Sequence, residues 1–310
     1  MSPESAAVLD PAADARTAAP AAPRRTRPFY WSVRRELWEN RSIYLAPLGV
    51  GAFAVVGLVI HALTMPGHMP GMLGNDPAAA GSASVSYRVA ALLMLATSFV
   101  VGAFYCLEAL SGERRDRSVL FWKSLPVSDR TTVLAKAFVP LVVLPVVTFA
   151  ALVAMQLTML LLSALALLVQ GVEIAPLWRE LRLFRMWTML LYALAATALW
   201  HAPIYAFLLL MSGWARRTAA LWAVLPLLAL VALEKLTMDT TRVLAAVSYR
   251  LFGWYGEAFA LRRPERVPFS SLASLAPGRF LGTPELWIGL ALAAVFIAAA
   301  VRLRRLREPS

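Results

Sequence analysis

The sequence predicts an all-α integral membrane protein with six transmembrane helices. Three observations carry that prediction. The 310 residues are 60% hydrophobic and 15% charged, with a mean hydropathy of +0.65, whereas a soluble domain is about 45–50% apolar and about 25% charged. The apolar residues gather into long runs, each able to enter a bilayer core about 30 Å thick. The cations stand at the ends of those runs, and 19 of the 30 Lys and Arg fall on segments assigned to one side, as the positive-inside rule requires. The net charge of +12 is thus read as topology determinants and lipid-headgroup contacts, not as a nucleic-acid surface. The single cysteine, Cys106, lies within an apolar run. It offers no disulfide framework or thiolate metal site within one chain.

Residues 1–28 are Ala/Pro-rich, carry Arg24, Arg25 and Arg27, and contain no apolar h-region. They are expected to form a disordered cytoplasmic tail and not a cleavable signal. Residues 29–43 place Tyr30, Val33, Leu37 and Trp38 at helical spacing, with Arg34, Arg35, Glu39 and Arg41 largely opposite. That pattern predicts an N-terminal amphipathic helix lying at the membrane interface.

The transmembrane domain, 44–301, is read as spans at about 44–63, 87–107, 137–163, 186–211, 219–236 and 286–301. The first connector, Thr64–Ser86, has no Lys or Arg and is rich in Pro and Gly, so it is external. The apolar run Ala137–Val169 has 33 residues, about 50 Å as one helix. Two spans would need about 40 residues plus a turn, so one span is expected, kinked near Pro140 or Pro145. Arg179, Arg182 and Arg185 precede the fourth span, and Trp214-Ala215-Arg216-Arg217 makes a short inner turn. The connector Thr237–Glu285 holds Tyr249, Phe252, Trp254, Tyr255, Phe259 and Phe269. Its aromatic content predicts one or two short helices packed at the outer surface. Residues 302–310 form a basic cytoplasmic tail. With six spans, both termini are cytoplasmic.

The segment Glu108–Lys136 is longer than a connector between two spans needs. It carries Glu113, Arg114, Arg115, Asp116, Arg117, Lys123, Asp129, Arg130 and Lys136 beside the apolar Val119, Leu120, Phe121, Trp122 and Leu125. Charge on one side and Phe/Trp/Leu on the other suits a short helix against a membrane surface or a partner protein. The series Glu108, Ser111-Gly112-Glu113-Arg114-Arg115, Lys123-Ser124-Leu125-Pro126-Val127-Ser128 and Lys136 resembles the permease subunits of type-2 ABC transporters. The resemblance covers roughly residues 29–307.

The resemblance implies a cytoplasmic coupling helix between spans 2 and 3, docking on a separate P-loop ATPase present in two copies. It implies a second permease copy, or a similar permease, as partner, and a bacterial inner-membrane location with export as the direction. It assigns Ser111, Gly112, Glu113, Arg114, Arg115, Asp116, Arg117 and Ser118 to ATPase coupling. Leu120, Phe121, Trp122, Lys123 and Pro126 are assigned to anchoring the loop. It gives the N-terminal amphipathic helix a second role, contact with the ATPase.

No G-x-x-x-x-G-K-[ST], H-E-x-x-H or G-x-S-x-G motif occurs. The chain is expected to be no enzyme and to bind no cofactor, with ATP and Mg on the partner. His201, before Pro203, is an ionisable residue within a span and hence a pathway candidate. The competing reading is a neutral imidazole bonded to backbone that Pro203 frees. Glu234 and Lys235 are read as an interfacial pair with Lys snorkelling. Met65, His68, Met69 and Met72, after His61, have Cu(I)-type ligand chemistry, but Met is also a common apolar filler, and no metal site is assigned. The alternative function is a six-span scaffold or assembly factor without an ATPase. An intramembrane enzyme lacks the catalytic groups it would need. The Ala/Leu/Val-rich spans favour a lipidic or amphipathic cargo over a free ion.

Overall fold

The computed structural model describes residues 27–64, 77–115, 127–169, 171, 175, 183–215, 218–259 and 272–307. Among these the chain is helical, and its only strand-like feature is an isolated bridge between Phe259 and Leu275. In order, the helices are α1 (Pro28–Glu39), α2 (Ser42–Thr64), α3 (Pro77–Glu108), α4 (Ser111–Arg115) and α5 (Asp129–Phe138). A π-helical turn, Val139–Val143, joins α5 to α6 (Leu144–Val169). Then come α7 (Leu183–Trp214), α8 (Ala219–Met238), α9 (Arg242–Ala258), α10 (Pro277–Gly282) and α11 (Pro284–Arg307).

Among the described residues, six helical stretches are long and apolar enough to cross a membrane: α2, α3, the α5–π–α6 run, α7, α8 and α11. Their positions follow the hydropathy runs, because burial in an apolar medium is decided by length and composition alone. The third stretch is one run, Asp129–Val169, of 41 residues. At about 1.5 Å per residue it reaches about 60 Å, twice a bilayer core. Ser128 caps its start by accepting the Thr131 N–H at 3.2 Å, and Asp129 lies in the first turn. Pro140 sits in the π turn. A widened turn accommodates a residue that cannot donate and whose ring crowds the preceding carbonyls.

Helix α7 is the centre of the bundle. It packs against α11, α3, α8, α9 and α6. Trp200, Met189, Leu190 and Ala193 on it meet Met94 of α3 and Leu152 and Met159 of α6 in the main core. Helix α8 is the most open, presenting Leu221, Leu225, Leu228 and Leu236 outward.

Among the described residues, the connector after α8 holds α9, a 3-10 turn at Leu272–Ser274 and the short α10, in line with the helical structure that its aromatic residues predict. Glu234 and Lys235 are not a pair. The Glu234 carboxylate accepts the Arg242 and Val243 N–H groups at 2.7 and 2.8 Å and the Thr240 hydroxyl at 2.6 Å, capping α9. Lys235 pairs with Asp239 instead, which occupies the left-handed region at φ 48 and turns the chain between the helices.

Several boundaries differ from the sequence reading. The N-terminal helix breaks at Asn40–Arg41 instead of running to 43, α3 begins at Pro77 inside the segment read as a connector to Ser86, α6 runs to Val169 beyond 163, and α11 continues through Arg307 into the predicted tail. Within α1 the one fully buried residue is Glu36, and Tyr30, Trp31 and Trp38 are exposed. An ion cluster beneath the helix holds Glu36, and Leu37 packs partly buried against the neighbouring apolar cluster.

Candidate functional site

At one end of the bundle, α1, α4, α5 and α11 converge on a cluster of buried charges. Glu36 and Lys136 are 1% and 2% exposed. The Lys136 ammonium donates to Glu36 Oε1 at 2.7 Å and lies 3.1 Å from Glu113 Oε1. Arg35 Nη2 bridges the same two carboxylates, 3.0 Å from Glu36 Oε1 and 2.6 Å from Glu113 Oε1. Glu113 Oε2 accepts from Arg304 Nη1 at 2.9 Å, and Arg304 Nε reaches Asp129 Oδ1 at 3.2 Å. The Tyr105 hydroxyl donates to Glu36 Oε2 at 2.8 Å. Arg35 Nε also lies 3.4 Å from Glu39 at the rim.

Arg35, Lys136 and Arg304 thus balance Glu36, Glu113 and Asp129. A buried ion is tolerable only when paired and hydrogen-bonded, since desolvation costs several kcal/mol per ion, and here each has an opposite charge within 3.2 Å. Burial pulls the Arg35 guanidinium down, but Glu36, Glu113 and Glu39 outweigh that effect and raise it above its ordinary value. At the rim, burial pushes the Glu39 carboxyl up although Arg35 lies alongside.

The cluster sits where the long loop leaves and re-enters the bundle. Glu113 follows α3 on α4, and Asp129 and Lys136 lie on α5. A second contact fixes the same exit: Ser212 Oγ, near the end of α7, accepts the Leu110 and Ser111 N–H groups at 3.0 and 2.9 Å. The Ser111 hydroxyl donates back to the Leu107 carbonyl at 2.9 Å. Gly213 lies against Leu110 and Leu303, closing the space between α7, α11 and the loop exit.

Of the residues read as coupling, Ser111 and Glu113 are therefore drawn into the bundle, while Gly112 faces open space. Arg114 and Arg115 complete α4, and their side chains lie outside the described residues. So do Asp116, Arg117, Ser118, Leu120, Phe121, Trp122, Lys123 and Pro126 of the loop, and Met65, His68, Met69 and Met72 of the segment between α2 and α3. Among the described residues no group of three or more His, Cys, Asp or Glu could hold a metal.

His201 is buried in α7 between Phe99, 4.6 Å away, and Tyr205. Its Nε2 lies 2.9 Å from the Leu251 carbonyl of α9. A carbonyl only accepts, so Nε2 carries the proton. The imidazole therefore bonds to the backbone of another helix, and not to the Leu199 carbonyl that Pro203 leaves without its i+4 donor. Beside it, Trp200 Nε1 donates to the Arg250 carbonyl at 3.0 Å. The Arg250 guanidinium lies 4.8 Å over the Trp200 ring, with Nη1 3.1 Å from the Glu285 carbonyl. Together these contacts dock α9 onto α7 and α11.

The sequence alone gives Glu36, Lys136 and Arg304 no functional role. A signal exists for two of them: Lys136 and Arg304 are charges set among apolar residues at the edges of predicted spans (A-K-A-F and L-R-R-L), whereas Glu36 (R-E-L-W) stands in the predicted interfacial helix.

No family model, curated protein or solved structure matches the chain.

Proposed function

We propose that the chain is the membrane-spanning permease subunit of an ATP-driven transporter of the type-2 ABC kind. It works as an exporter in a bacterial inner membrane with both termini cytoplasmic. It pairs with a second permease copy or a similar permease, and two copies of a separate P-loop ATPase dock on the 108–136 loop. One observation supports the reading above the rest. The roots of that loop, Glu113 on one side and Asp129 and Lys136 on the other, share buried ion pairs with the helix before the first span and the end of the last. A loop that only connected two spans would need no such attachment.

In this reading, ATP closes the ATPase dimer and pushes on the Ser111–Ser118 region. Glu113 passes the displacement to Arg35, Lys136 and Arg304, and so to α1, α5 and α11 together. Interior packing is too dense to absorb such a shift locally, so the helices move as units toward a pathway at the permease–permease interface. His201 is the pathway candidate on α7. ATP and Mg belong to the partner chain.

The test is a detergent pull-down of the tagged chain from its native membrane, with mass spectrometry and an ATPase assay. A stoichiometric P-loop ATPase is expected, lost in Arg114→Glu with Arg115→Glu while the permease still inserts. A clean preparation without an ATPase would overturn the reading and favour a six-span scaffold.

A further inference from the structure

Helix α1 has a second face that the ion cluster does not use. At about 100° per residue, Tyr30, Trp31, Arg34 and Trp38 fall within an arc of about 100°, opposite Glu36. Trp31 and Trp38 are 56% and 68% exposed, and Tyr30 is exposed beside them. The Arg34 guanidinium lies 5.2 Å from the Trp31 ring centroid and 4.7 Å from that of Trp38. Among the described residues no carboxylate pairs with it. Its neighbour Arg35, one residue on, takes the available acids.

We propose that this face is a lipid-phosphate site, in which Arg34, held between Trp31 and Trp38, binds the headgroup of an anionic phospholipid in the leaflet beside the ion cluster. Three features select that occupant. Helix α1 ends at Glu39 and the first apolar span begins at Ser42, so the two-residue link holds α1 at the bilayer surface. Exposed Trp and Tyr have an apolar body and a polar tip, and such rings settle at the headgroup level. A guanidinium has a planar donor fork that fits phosphate, and the flanking rings restrict its motion so that less freedom is lost on binding. A soluble protein partner would leave these rings in water whenever it was absent. The leaflet is always present. The proposal rests on Ser42–Thr64 crossing the bilayer and is independent of any ATPase.

The full chain is reconstituted into phosphatidylcholine vesicles containing either phosphatidylglycerol or further phosphatidylcholine with brominated acyl chains, at equal mole fraction. The signal of interest is the tryptophan quenching lost in Trp31→Phe with Trp38→Phe. A cation near an anionic surface enriches such lipid about fivefold, so the phosphatidylglycerol arm is expected to quench several-fold more. Arg34→Gln should abolish that preference, while Arg41→Gln, exposed on the two-residue link before α2, should leave it. Equal quenching by the two lipids overturns the proposal. So does a preference that survives Arg34→Gln or is lost equally in Arg41→Gln, or an absence of quenching by either lipid. Flotation after an alkaline wash is read first; protein that does not float would refute the membrane-spanning premise instead.

Discussion

Replacing Lys136 with Met removes the cation that two buried carboxylates share while nearly preserving side-chain volume. At an effective dielectric of about 20, a unit charge 2.7 Å from Glu36 and 3.1 Å from Glu113 gains roughly 6 and 5 kcal/mol of gross Coulomb energy. Desolvation of the ammonium returns several kcal/mol of that. The remainder agrees with the 3–5 kcal/mol typical of breaking a buried ion pair, so Lys136→Met should cost about that much stability. What makes the cost large is the state left behind. Glu36 and Glu113 would face each other with Arg35 and Arg304 as their remaining cations.

Adding Glu36→Gln to Lys136→Met should therefore recover part of the loss, because the amide oxygen still accepts from Tyr105 without a charge to compensate. The double variant should fall short of the summed single costs by about 1–3 kcal/mol. Equilibrium unfolding with sodium dodecyl sulfate in mixed micelles, followed by circular dichroism, measures all three variants. A Lys136→Met protein within about 1 kcal/mol of the parent, or strictly additive single costs, would refute the account of the cluster as one coupled unit.

Three further outcomes are expected. Ser212→Ala leaves the Leu110 and Ser111 N–H groups without their acceptor, costs about 1–3 kcal/mol and speeds exchange of those two amides by hydrogen-exchange mass spectrometry. Gly289→Val sets a Cβ 1.8 Å from Arg250 Nη2, displacing the guanidinium from Trp200 and the Glu285 carbonyl. The loss of about 1–2 kcal/mol should shrink in an Arg250→Ala background, read as melting temperature. Gly102→Leu drives a branched side chain into the Tyr205 ring, already 3.0 Å from an ideal Cβ, and should cost about 1–3 kcal/mol by overpacking, read the same way.

The six helices were legible in the sequence because a run of apolar residues is a local property, and length and composition alone make it a span. The two short helices after α8 followed from aromatic content by the same local logic. Pairing was not legible. Arg304 meets Glu113 across 191 positions, and no periodicity encodes that distance. Arg302, Arg304 and Arg305 look alike as cations at the end of an apolar run, yet only Arg304 of the three is buried. Its burial comes from the packing of α11 against α5, where it meets Glu113 and Asp129. The same limit hid the anchor of α1. Tyr30, Val33, Leu37 and Trp38 have helical spacing, but Glu36 fixes the helix through partners on α3 and α5, and Arg35 through Glu113 on α4. For the loop, the charges drew attention to the segment, and geometry shows that Glu113 is held within the chain by Arg35, Lys136 and Arg304.

The π turn at Val139–Val143 has a consequence for how the third span tolerates changes in length. Losing one residue from an ordinary α-helix rotates everything beyond it by about 100°. Here that would swing Lys136 away from its carboxylates or turn Thr148 and Gln156 out of the core, since both ends are anchored. A π turn already holds one residue more than an α-helical turn needs. Deleting exposed Val142 should let the turn close into plain α-helix with both flanks in phase, whereas deleting Ala150 within α6 should unseat one of them. The span thus carries a built-in unit of slack, placed between its ionic anchor and its apolar one.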